Sequence, residues 1–233
     1  MKNLLLLLYI ALFFIGISCA NKDQAKKSNQ QSSKPLNFIA TLDSVWTMEQ
    51  IPIRKRDSVM RIHGDDSELF KKYQAIYKKN HIINEKKVRY ILDTYGWPTK
   101  AMAGEDGNWT ICNVLQHSSI DVRVKYLPMM EQAVKDKKLE PRFLVRAADR
   151  IATDNNELQI YGGQVKYYPE TKSFNLWPIK DPANVNKIRA EIGMNSIEEF
   201  LKQKRVPLEW NVEEQIKRTE AFIEAKRQNI KQK

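Results

Sequence analysis

Only two cysteines, Cys19 and Cys112, and three histidines, His63, His81 and His117, occur in the 233 residues. The histidines are far apart, and no HExxH pair or cysteine cluster exists. The common zinc frameworks are therefore missing, and no metal or other cofactor is expected. There is no Walker loop and no GxSxG elbow, and Gly162-Gly163 is too short to cradle a phosphate by itself. No dense basic block with interleaved aromatics appears, so nucleic acid is not an expected partner. No apolar run long enough to span a bilayer follows residue 19.

What is present begins with Met1-Lys2-Asn3 and the fourteen apolar residues Leu4 to Ile17. That run is short for a membrane span of ~20 residues, but it fits the apolar segment of a secretory signal. Ser18-Cys19 follows, and this resembles the bacterial lipobox, with Gly16 standing where a larger aliphatic residue is usual. Residues 1–18 are thus expected to be a signal peptide and Cys19 the lipidated first residue of a cell-envelope protein. The alternative is an ordinary cleaved signal and a secreted chain. With Cys19 lipidated, Cys112 has no partner for a disulfide. In its apolar helical setting it reads as a small hydrophobe.

Residues 19–35, rich in Ser, Gln and Lys, cannot bury enough surface to fold and read as a tether. Residues 36–233 are one domain's worth of chain. The balance of 39 Lys+Arg against 28 Asp+Glu gives +11. Such a field attracts anionic head groups, polyanions or acidic substrates; equally, the lysines can be solvating surface.

Helical periodicity dominates the mature chain. Leu36, Ile39, Leu42, Val45 and Trp46 make one apolar face, with Pro52 expected to interrupt or restart it. A second helix begins near Ser67. Asn84 reads as the cap of a third, ended by Gly96. Asn108 and Asp121 read as further caps. Pro141 suits the first position of a helix running to about Thr153. The character then changes: residues 158–168 and 173–179 flank the polar turn 169–172 as a β-hairpin. Helices follow up to Gly193, from the capping box Ser196–Glu199, and over 212–230. The expected fold is mainly α: a compact multi-helix domain with one small β-hairpin.

Three places carry candidate chemistry. His117 closes an apolar helix after Gln116, and its imidazole can exchange a proton near neutrality; it can equally hydrogen-bond a loop at the helix end. Asp149 and Arg150 are adjacent and so point to different sides of a helix. Arg150 can clamp a carboxylate or phosphate with its planar fork, or form a structural ion pair. Gln159, Tyr161, Gly162 and Gln164 suit polar recognition, or they satisfy buried backbone groups.

These residues also carry a family resemblance. Gly96-Trp97-Pro98, Gly104 with Gly107, Gln116-His117, Asp149-Arg150, Gln159-x-Tyr161-Gly162-x-Gln164 and the run from Pro178-Ile179 through Arg189 to Gly193 resemble a bacterial domain family of unknown function. That family shows "GWP", "QH", "DR" and "YGTQ" signatures in this order. Glu49-Gln50…Arg54 resembles its Asp-Gln-x-x-Arg, with Glu for Asp and one extra residue, and Gly163 replaces its Thr. The resemblance covers about 42–203. It implies a shared site of His117, Asp149, Arg150 and a strand with Tyr161 and Gln164, and the candidate binding pocket adds Gln50, Arg54 and Gln116. Such a site would bind or hydrolyse a small polar or anionic ligand with His117 as base. The other class of function is a structural or interaction module in which the same residues form a buried network.

Overall fold

The computed structural model describes residues 36–231, and everything below concerns them. The expected signal peptide, the lipidation site at Cys19 and the tether lie outside the described residues. Helix α1 (Phe38–His63) starts at Asn37, whose Oδ1 accepts the Ala40 N–H. Helix α2 (Glu68–Tyr95) starts at Ser67, whose Oγ accepts from Phe70, and stops at Gly96 with φ +71°. The two form a long antiparallel pair, in which Leu42 and Val45 of α1 and Val88, Ile91 and Leu92 of α2 are buried. Each such side chain contributes about 1.5–3 kcal/mol through its removal from water.

Two expected breaks are absent. α1 runs through Pro52, which is buried in it. α2 runs through Asn84 without interruption. Asn84 is no cap: its amide donates to Glu49 Oε1 at 2.9 Å across the helix pair. A polar residue tolerates a buried helix interior when the neighbouring helix supplies its partner. Asn108 is no cap either. It accepts the Trp97 indole N–H at 2.8 Å and donates to the Lys138 carbonyl at 2.8 Å.

After the single turn α3 (Lys100–Ala103) come α4 (Gly107–His117), α5 (Ile120–Lys135) and α6 (Pro141–Asp154), the last with proline at its first position. Ile111, Val114 and Leu115 of α4, Tyr126 and Met130 of α5 and Leu144 of α6 complete the larger core. Strands β1 (Val165–Tyr168) and β2 (Ser173–Leu176) pair antiparallel, Val165 opposite Leu176 and Tyr168 opposite Ser173. Helices α7 (Val185–Glu191), α8 (Ile197–Gln203) and α9 (Val212–Lys231) follow, and Leu176, Ile179, Val185, Ile197 and Leu201 form a second, smaller core. The architecture is mainly α with one hairpin: nine helices and one two-stranded sheet among the described residues. No described helix is long and apolar enough to cross a membrane.

Candidate functional site

The expected first strand begins only at Val165: before it Gln159 makes a single parallel bridge to Ile179, and residues 160–163 are tied to α6. The tie is Asp149, fully buried on the inner face of α6. Its Oδ1 accepts the N–H groups of Ile160 at 2.8 Å and Tyr161 at 3.0 Å, and its Oδ2 accepts that of Gly163 at 2.6 Å. Burial pushes the carboxyl above its ordinary pKa, while the three N–H donors and the Arg189 charge pull it back. Both oxygens are bonded and the side chain is sealed from solvent, so this carboxylate organises the loop and is out of reach of a ligand.

Glycine makes the close approach possible. Gly162 has φ +72°, and a Cβ on Gly163 would lie 2.7 Å from Val145 Cγ1 and 3.0 Å from Asp149 Oδ2. Two buried side chains finish the knot. Arg189 donates to the Tyr161 carbonyl at 2.8 Å and to Asn195 through Nε and Nη2. Gln159 accepts the Gln164 N–H at 2.8 Å, and its amide donates to the Trp177 and Gln164 carbonyls. Arg189 was not singled out as a site residue in the sequence reading, because nothing local in NKIRAEIG shows that this arginine turns inward.

The knot places Gly163 and Gln164 on the wall of a cleft of about 710 Å³. Arg142, Arg146 and Arg150 of α6 and Gln116 of α4 line the same cleft, with Lys204 beyond α8 on the other wall. Among the described residues no acidic side chain lines it. Arg142 pairs with Glu140 at 2.9 Å and Arg150 with Asp154 at 3.6 Å, while Arg146 and Lys204 have no acidic partner among the described residues. Gln116 is only 6 % exposed, and its Nε2 donor has no partner. Arg142 and Arg146 carry a signal that the sequence reading did not use: with Arg150 they recur at intervals of four along one helix.

Other candidates lie elsewhere. Tyr161 turns its phenol to a different groove, shared with Leu127, Glu131 and Phe222. Burial, and then Glu131 and Asp149, raise its pKa. Gln50 is half-buried on α1 and Arg54 is exposed, and neither lines the cleft. The extra residue before Arg54 turns it off the Glu49 face. Arg56, seven residues after Glu49, occupies that face and sits 5.7 Å from the Tyr77 ring.

His117, the last residue of α4, does not line the cleft. It keeps an exposed edge, and its ring meets Tyr77 edge-on at 6.3 Å. Packing around the ring lowers its pKa. The charges of His81, Arg150 and Arg146 add to that, and Glu49 opposes it. Beside it, between α1 and α2, Glu49 Oε1 faces His81 Nδ1 at 3.3 Å and Asn84 Nδ2 at 2.9 Å. Glu49 Oε2, His81 Nε2 and Asn84 Oδ1 are buried without partners. Desolvation, with Glu49 beside it, pushes the Tyr77 phenol up to about 12. This second polar cluster escapes a sequence reading because Glu49 is 32 and 35 residues from His81 and Asn84. Among the described residues no group of three or more His, Cys, Asp or Glu could hold a metal ion. Burial pushes the Cys112 thiol far above its ordinary range, which leaves it a packing residue.

The profile of a family of unknown function, DUF6624, matches residues 50–208, and the chain belongs to that family. Comparison with curated proteins gave no match, and comparison with solved structures gave none either.

Proposed function

The function of the family is unknown, so function has to be read from the site, and we propose that the domain binds a small anionic ligand in the α6 cleft. The protein presenting it is exported and held to a membrane by lipid on Cys19. One observation carries the binding reading: Arg142, Arg146, Arg150 and Lys204 face one cleft whose wall has no acidic residue. Like charges four apart on a helix repel, each pair destabilising it by about 0.2–0.5 kcal/mol. Gathering them in a cleft focuses a positive field on whatever enters. Arginine forks then match carboxylate or phosphate oxygens two at a time. The export reading rests on the apolar run Leu4–Ile17 followed by Ser18-Cys19.

The other reading, a structural envelope module with a buried polar network, draws on the sealed Asp149–Gln159–Arg189 knot. That knot uses none of the cleft arginines, so it does not account for them. His117 is off the cleft wall, and the geometry therefore supports binding and not hydrolysis by this base. The test is calorimetric titration of the purified protein with citrate and with orthophosphate. Millimolar or tighter binding is expected, weakening with added salt and lost in Arg146→Gln at unchanged melting temperature. No heat from any small anion, at any ionic strength, would refute the proposal.

A further inference from the structure

The same cleft carries more than a count of charges. Arg142, Arg146 and Arg150 are each four residues apart on α6. At ~1.5 Å rise per residue, successive guanidinium stems stand about 6 Å apart and the row spans about 12 Å. A single compact anion would use one or two of them. A row suits a linear ligand whose charges repeat at about this interval, close to the length of one sugar unit.

The remaining wall is not that of a phosphate site. Oligophosphates are usually held by helix N-termini and nests of backbone N–H groups. Here the cations run along the side of the helix, and the rest of the wall mixes aromatic rings with neutral amides. Trp109, Phe143 and Phe200 line the cleft together with Gln116, Gln164 and Gln203. Aromatic faces accept the C–H faces of sugar rings, and amides exchange hydrogen bonds with hydroxyl groups. Gln116, only 6 % exposed, contributes a neutral amide to this wall.

We infer that the ligand is an acidic oligosaccharide bearing about one carboxylate or phosphate per sugar unit, laid along α6. This rests on the anion-cleft reading and narrows it. The test titrates the full-length protein with four probes: trigalacturonate, monomeric galacturonate, maltotriose and tripolyphosphate. Trigalacturonate is expected to bind at least tenfold more tightly than each of the other three. Arg146→Gln and Lys204→Gln, both at exposed positions, should each weaken it by tenfold or more without moving the melting temperature. Tripolyphosphate binding as tightly as trigalacturonate would overturn the glycan inference while leaving the anion cleft standing. Maltotriose binding as well as trigalacturonate would overturn the role of the arginine row. Failure of all four, together with citrate and orthophosphate, would remove both readings.

Discussion

Asp149→Asn is a nearly isosteric change, yet it should be one of the most damaging in this chain. The carboxylate presents acceptors only, and three backbone N–H groups converge on it. An asparagine keeps one oxygen and replaces the other with an NH₂. If the oxygen stays with Ile160 and Tyr161, the NH₂ faces the Gly163 N–H, and two buried donors oppose each other. If the amide flips, two backbone donors are stranded instead of one. A buried donor without a partner costs about 1–3 kcal/mol, and the better orientation leaves two such donors, the amide and Gly163. The attraction to Arg189 is lost as well. The expected destabilisation is about 2–5 kcal/mol, a large part of the ~5–15 kcal/mol that holds a domain together. Urea unfolding followed by circular dichroism measures it. The midpoint should fall with little change of slope, and Asp149→Ala, which strands three donors, should lose at least as much. A loss of under 0.5 kcal/mol for Asn would refute the claim that this carboxylate holds the loop.

Gly162→Ala should destabilise by about 1–3 kcal/mol, through the left-handed backbone and a Cβ placed 2.5 Å from Ile197 Cδ1; denaturant unfolding checks it. His117 has a folded pKa below its ordinary value. The unfolded chain therefore takes up a proton first as pH falls below about 6.5, and stability is lost in that window. His117→Gln should lose less melting temperature than the parent between pH 7.5 and 5.5, and superimposable profiles would contradict the shift. Cys19→Ser should abolish labelling by a fatty-acid probe and shift the protein out of the membrane fraction, whereas unaltered fractionation of an unlabelled parent would sink the anchor.

Much of the fold was legible because its signals are local. Ser67 and Ser196 accept the N–H three residues on. Gly96 and Gly193 take positive φ where helices stop, Pro141 opens α6, and the hairpin turns at 169–172. The errors came where a distant partner overruled a local signal. Asn84 looks like a cap until Glu49, 35 residues earlier, takes its amide. The segment 158–164 reads as strand until Asp149 captures three of its N–H groups. Arg189 gives no local sign that it turns inward to donate to the Tyr161 carbonyl, 28 residues earlier. The site was partly legible for the same reason. Asp149 and Arg150 do point to different sides of α6, one into the knot and one onto the cleft. A sequence cannot show, however, which flank of an amphipathic helix will face a cleft, and Arg142 and Arg146 went unmarked.

The polar residues of this domain divide into two kinds with opposite energetics. Asp149, Gln159 and Arg189 are sealed and bonded to backbone groups, so removing any one strands partners in low dielectric. They fix where residues 160–164 lie, and hence where Gln164 meets α6. The arginine row is the reverse. Its members are exposed or half-exposed, they repel one another, and Arg146 has no acidic partner among the described residues to offset that. Replacing Arg146 by a neutral residue would relieve repulsion and leave no buried group unsatisfied. Stability therefore argues against this row, and packing does not require it. An exposed cation such as Arg146, set on a helix opposite a loop that a buried knot holds in place and not needed for packing, is the kind of residue that affinity rather than stability would select.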